Sequence, residues 1–185
     1  MQLIDTAIRD VKLVKPAVFG DARGFFLETW HEEKFRAAGL ELHFVQDNHS
    51  KSVRETLRGL HYQIHRAQGK LVRVIQGEIY DVAVDIRTYS PTFGHWVGIH
   101  LTDENKDMIW IPEGFAHGFY VLSETAEVCY KCTDYYAPEY ERSILWNDPE
   151  LNISWPLIDG KSPLLSAKDR NGIPLKDAEL FTHPG

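Results

Sequence analysis

Apolar residues in this chain alternate with polar ones far more often than they recur at helical spacing, and Gly, Pro and polar clusters cut the alternation at short intervals. The pieces Val11 to Val14 and Ala17 to Phe19, split by Pro16, predict an edge strand. Asp21-Ala22-Arg23-Gly24 predicts a turn, after which Phe25-Phe26-Leu27-Glu28 resumes extended structure. Thr29, with Glu32 three residues on, fits a capping box, so a short helix is expected to about Ala38, capped by Gly39. Phe44-Val45 begins a strand that gives way to the polar run Gln46 to Ser50. Leu71 to Ile86 has the pattern of a hairpin turning at Gln76-Gly77, with Tyr80, Val82, Val84 and Ile86 on one face and Asp81, Ala83 and Asp85 on the other. Further strands are expected at 95–101, 107–112, 117–123, 126–133 and 142–146, separated by turn clusters such as Thr102 to Asn105 and Ser123 to Thr125.

Many short strands with almost no helix predict an all-β sandwich or barrel. The tail from about 150 carries Pro156, Pro163, Pro174 and Pro184 with little periodicity, and is expected to wrap the barrel. At 185 residues one domain over 1–185 is the default. Within it, 1–50 supplies N-terminal strands and the short helix, 51–148 the barrel core, and 149–185 the C-terminal wrap.

Composition narrows the function classes. Hydrophobic residues at 43% and charged residues at 25% argue for a packed globule over a disordered chain. A formal charge of −7, with no run of Lys and Arg, disfavours a nucleic-acid partner. An anionic ligand would therefore need a local cationic site. No apolar run approaches a membrane span and no signal-peptide profile opens the chain, so no membrane partner and a cytoplasmic location are expected. Cys129 and Cys132 form a C-x-x-C, but on a strand their Cα atoms lie roughly 10 Å apart with side chains on opposite faces, too far for a disulfide. No second C-x-x-C completes a zinc site, and two unpaired thiols are expected.

The candidate chemistry gathers on Arg58-Gly59-Leu60-His61-Tyr62-Gln63 and Gly69-Lys70. An imidazole suits proton abstraction near neutral pH, and a nearby cation can hold an oxyanion as it forms. A lone strand histidine is more often a satisfied core residue. Here Pro112-Glu113-Gly114-Phe115-Ala116-His117 supplies a second one, and this P-x-G-x-x-H resembles the second half of the cupin motif. The first half would be H-x-H followed by a glutamate; this chain has His61-Tyr62-Gln63 and then Arg66, Ala67 and Gln68, which disfavours a metal. Strand alternation puts Arg58 and His61 on opposite faces unless Gly59 marks a bulge. Tyr130, mid-strand and on the face of Cys132, is a second candidate for proton transfer, while Tyr135, Tyr136 and Tyr140 read as structural or interfacial. Asp169 reads from its spacing as a solvated tail residue that could orient His61.

Taken jointly, Asp21 to Phe26, Gln46 to Ser50, Arg58 to Gln63, Gly69 to Val74, Pro112 to Phe119, Tyr130, Tyr140-Glu141-Arg142 and Lys168-Asp169 give the chain a family resemblance. It resembles the dTDP-4-dehydrorhamnose 3,5-epimerases, nucleotide-sugar isomerases of the cupin-like double-stranded β-helix (jelly-roll) class with a few short helices. The resemblance implies inversion of C3 and C5 of dTDP-4-dehydro-6-deoxy-D-glucose to give dTDP-4-dehydro-L-rhamnose, on the path to dTDP-L-rhamnose, with no metal and no cofactor. It implies His61 as base paired with Asp169, Tyr130 as proton donor and Lys70 as oxyanion partner. Sugar or nucleotide contacts fall to Arg23, Glu28, Gln46, Asp47, Asn48, Arg58, Lys70, His117, Glu141 and Lys168. Arg23, Arg58 and Lys168 would hold the diphosphate, and Phe25 or Phe26 could stack on thymine. Members are homodimers whose N-terminal strands cross to the partner, so Arg23 would serve the other chain's pocket. Three alternatives stay open: an epimerase of a related dTDP-4-keto sugar acting at C3 or C5 alone (or a related ketoisomerase), a metal-dependent cupin oxygenase, and a sugar-nucleotide binding module without turnover.

Overall fold

The computed structural model describes residues 1–183; the last two positions of the expected C-terminal wrap, Pro184 and Gly185, lie outside the described residues. The chain opens with β1 (Gln2–Asp5), β2 (Lys12–Lys15), β3 (Val18–Asp21), β4 (Gly24–Leu27) and the helix α1 (Glu32–Ala37). The barrel strands follow as β5 (Gln46–Val53), β6 (Leu57–Gln63), β7 (Lys70–Gln76), β8 (Glu78–Asp85) and β9 (Trp96–Thr102). After these come β10 (Met108–Ile111), β11 (Phe115–Val121), β12 (Thr125–Cys132), β13 (Glu141–Ser143) and a one-turn helix α2 (Ala167–Arg170).

Two antiparallel sheets face each other, in the orders β1-β2-β10-β7-β12-β5 and β13-β6-β11-β8-β9. Val72, Val74, Ile109 and Val128 of the first sheet meet Ile79, Ala83, Leu101, Phe119 and Val121 of the second in one buried cluster. Strand β8 is buried on both faces. Val82, Val84 and Ile86 pack outward under Leu151 and Leu175 of the tail, joined by the partly buried Phe181, which explains why both of its alternating sets are so free of solvent. The tail follows the barrel surface, with single bridges from Leu164 to Thr56, Ile173 to Ile144 and Phe181 to Arg87.

Several sequence expectations need correction. The segment Leu71–Ile86 is not a hairpin, because β7 and β8 belong to different sheets. Gly77, at φ +82 and pressed against the Thr125 carbonyl where no Cβ fits, turns the chain from one wall into the other. The strand expected at Phe44-Val45 lies instead in the polar run itself, as β5; Gln46, Asn48 and Ser50 on its inner face line a cavity, so the strand lacks an apolar stripe. The N-terminal edge is β1, and β2 lies inside the sheet between β1 and β10. Helix α1 starts at Glu32, after His31, with no side-chain cap. Trp30 docks on Phe35 and Phe44, with ring centroids at 4.5 and 4.6 Å, and this packing sets the entry where a Thr29 cap was expected. The helix end stands as expected, with Gly39 at φ +93. Strand β13 is shorter than the 142–146 segment suggested, and α2 was not foreseen.

Strands β3 and β4 form a separate two-stranded ribbon with Ala22 and Arg23 at its tip. Phe19, Phe25 and Phe26 are 65%, 59% and 66% exposed there. Each phenylalanine left in water forgoes about 1.5–3 kcal/mol of burial, so this ribbon has the chemistry of a contact surface.

Candidate active site

A cavity of about 350 Å³ opens between the two sheets, lined by inward residues of β5, β6, β7, β11 and β12 with Glu141 and Lys168 at its rim. Arg58, His61 and His117 stand on one wall; Gln46, Asn48, Lys70 and Tyr130 stand on the other. Arg58 and His61 reach the same space because β6 bulges. Its Arg58-to-His61 stretch faces only Phe119-to-His117 of β11, so one residue is extra. Gly59 takes φ +131 at the bulge, and a Cβ there would collide with the Gly118 backbone, which is why glycine is required.

His61 Nε2 lies 2.6 Å from Asp169 Oδ1. Asp169 is only 3% exposed, so the reading of it as a solvated tail residue is overturned. It is the third residue of α2 and closes a capping box with Ser166, while the Gly59 amide donates to Oδ1 at 3.2 Å. Burial alone would raise its pKa, but the bonds from His61, Ser166 and Gly59 outweigh burial and hold the carboxyl well below its ordinary value. An ionised Asp169 accepts the Nε2 proton, which leaves Nδ1 of His61 as the ring's basic nitrogen.

His117 sits directly opposite His61 in the β6–β11 register. Its Nε2 meets both oxygens of the fully buried Asp81, at 3.0 and 2.9 Å. Burial pushes the Lys70 ammonium below its ordinary value and the Tyr130 phenol above its own, so Tyr130 keeps its proton at neutral pH. Arg58 Nε donates to Ser52 Oγ at 2.9 Å. Lys168 pairs with Glu141 at 2.7 Å, and the Tyr136 hydroxyl donates to the same carboxylate at 3.0 Å.

Besides Asp169, which is buried against His61 and does not line the cavity, three expected site residues stay outside it. Arg23 is paired with Asp21 at the tip of the exposed ribbon, and Glu28 pairs with Lys34 beside α1. Asp47 projects from the outer face of β5 toward Lys131, whereas Asn48 turns inward. Conversely Ser50, Tyr62, Gln63, Gln68, Phe119 and Tyr136 line the cavity without having been singled out for it. Tyr136 is thus a rim residue. Gln63, in the place of a cupin imidazole, uses its amide to hold the backbone at Arg66 and Ala137. Cys129 and Cys132 are free thiols. Among the described residues no cluster of three or more His, Cys, Asp or Glu side chains is disposed to hold a metal.

A carboxylate-oriented imidazole on one sheet, with a protonated phenol and a lysine on the facing sheet, defines an acid–base enzyme built in a cupin-like barrel. The family model for dTDP-4-dehydrorhamnose 3,5-epimerase matches residues 5–177, and the chain belongs to that family of isomerases. It is 60% identical over 182 residues to the dTDP-4-dehydrorhamnose 3,5-epimerase of Pseudomonas aeruginosa, covering 98% of this chain and 99% of that one. It is 56% identical over 184 residues to the enzyme of the same name from Salmonella typhimurium, with 98% and 99% covered. Among solved structures, a dTDP-6-deoxy-D-glucose-3,5-epimerase of Legionella pneumophila in complex with dTDP-4-keto-L-rhamnose superposes with a TM-score of 0.95. That protein shares 50% identity, over 100% of this chain and 99% of its own.

Proposed function

We propose that this chain inverts C3 and C5 of dTDP-4-dehydro-6-deoxy-D-glucose, giving dTDP-4-dehydro-L-rhamnose. Both carbons flank the C4 ketone, so loss of either proton yields an enolate. His61, its tautomer set by Asp169, takes the proton through Nδ1. Lys70, with Arg58 or His117, holds the oxygen as it becomes negative. Tyr130 returns a proton from the opposite face, its phenolate is reprotonated from solvent, and the imidazolium releases its proton to solvent. Inversion needs acid and base on two sides of one ring. The observation that carries this reading is that His61 and Tyr130 line one cavity from two different sheets.

The rest of the site is assigned to binding. Arg58 and Lys168 take phosphate oxygens, and Gln46, Asn48, His117 and Glu141 contact sugar or nucleotide. Arg23 completes a partner's pocket in a homodimer whose β3–β4 ribbon crosses over, while Glu28 and Asp47 keep the substrate contacts that the resemblance implies. The exposed phenylalanines of that ribbon, and the 91% exposure of the Arg23 side chain, support this arrangement.

Turnover in deuterium oxide tests the activity. Product labelled at both C3 and C5 is the expected result; label at one carbon alone would establish a single-site epimerase, and no label would leave only a binding protein.

A further inference from the structure

Two cavity-wall side chains, Gln46 and Asn48, and one buried thiol form a polar relay with a fixed direction. The Tyr136 backbone N–H donates to Gln46 Oε1 at 2.9 Å. Gln46 Nε2 then donates to Asn48 Oδ1 at 3.0 Å, and Asn48 Nδ2 donates to Cys132 Sγ at 3.5 Å. A backbone amide can only donate, so the first bond dictates the orientation of the Gln46 amide, and Gln46 in turn dictates that of Asn48. The relay ends on Cys132, which is wholly buried between Gln46 and Lys70 in the register of β12 with its two neighbours. Burial raises the thiol's pKa, so at neutral pH the sulfur is an uncharged acceptor.

Each amide oxygen is committed to a donor within the chain, while each NH2 retains one further N–H. With Lys70 beside them and Arg58 and Lys168 elsewhere on the lining, the cavity is rich in donors and matches phosphate or carbonyl oxygens on a ligand. We propose that Cys132 is a positioning residue: as terminal acceptor of the relay it holds Asn48 and Gln46 with their free N–H groups toward the acceptor oxygens of the bound nucleotide sugar. This rests on the function proposed above and gives Cys132 of the C-x-x-C pair a role that is neither redox nor metal-binding.

The test compares Cys132→Ser, which keeps a hydrogen-bond acceptor, with Cys132→Val, which keeps an apolar side chain of similar size and suits a strand. Calorimetry would measure affinity for dTDP-D-glucose, which lacks the C4 ketone and cannot be turned over, and steady-state assays would give KM and kcat. The serine variant is expected to stay within about twofold of the parent. The valine variant should lose roughly three- to tenfold in Kd and KM, the size of one ordinary hydrogen bond, with kcat nearly unchanged. Unchanged affinity in the valine variant, or equal loss in both variants, would overturn the proposal, since the residue would then be idle or act through packing alone. Binding of dTDP-D-glucose by a protein that incorporates no deuterium into the 4-keto substrate would instead count against the epimerase reading, and the affinity ratio would still decide the role of Cys132.

Discussion

Asp169 divides its carboxylate between two tasks: Oδ1 meets His61 Nε2 at 2.6 Å, while Oδ2 accepts from Ser166 and caps α2. The helix cap and the orientation of the His61 imidazole therefore depend on one side chain. Asp169→Asn offers an NH2 that competes for the imidazole and blurs its tautomer. Turnover should fall by about 10²- to 10⁴-fold while affinity for dTDP stays near that of the parent, as measured by kcat and calorimetry.

The same carboxylate predicts a pH dependence of stability. Its folded pKa lies below the ordinary value near 3.8, so its contribution is full above that value and is lost as pH falls through the folded pKa. Thermal melts at pH 7 and near pH 3, where the loss has begun and is not complete, should show a larger drop for the parent than for Asp169→Asn.

Tyr130→Phe removes the proposed proton donor and leaves the proposed base, His61, in place. Epimerisation should drop by roughly 10²- to 10⁴-fold, yet ring protons should still exchange with deuterium oxide, because His61 can remove and return them on its own face. His61→Ala should abolish that exchange. NMR of the recovered substrate separates the two variants, and exchange persisting without His61 would show that the base lies elsewhere.

Burial lowers the pKa of Lys70 from 10.5, so the ammonium is lost as pH rises through a value below that. The alkaline limb of kcat/KM should begin under pH 10.5 and move upward in Lys70→Arg, whose guanidinium keeps its charge. Stability has the opposite sign: the cost of burying this charge is present below the lowered pKa and is relieved as pH rises toward 10.5.

Ser50 Oγ is the one buried side-chain oxygen or nitrogen among the described residues that has no partner. Ser50→Ala should raise the melting temperature of the unliganded protein by about 2–4 °C if removing the hydroxyl recovers about 1 kcal/mol. Scanning calorimetry of the two proteins at one pH and concentration measures it.

Mixing two inactive variants tests which chain Arg23 serves. In a mixed dimer of His61→Ala and Arg23→Ala chains, a crossed ribbon collects both lesions in one site and leaves the other intact, so activity returns on mixing. A ribbon serving its own chain would leave both sites broken.

Much of the architecture was legible because β-strand alternation survives wherever one face meets the core, as in β9 and β12. It failed in β5, where the inward face is Gln46, Asn48 and Ser50 and the polarity belongs to the cavity. The sheet assignment of β7 and β8 was hidden for another reason: a Gly turn between alternating strands looks the same whether it folds a hairpin or passes the chain to the opposite wall. His61, Lys70 and His117 could be found from residue type and spacing. Tyr136 and the relay to Cys132 could not, because their partners come from strands distant in the sequence. The capping box Ser166 to Asp169 was a readable local signal, obscured by the prolines on either side of it.

The contact between His61 and Asp169 spans 108 positions along the chain. During synthesis both walls of the barrel are therefore translated well before the carboxylate that readies the imidazole. Until the trailing segment docks, the imidazole lacks the carboxylate that orients it, so the proposed base is made competent by the last part of the fold to arrive.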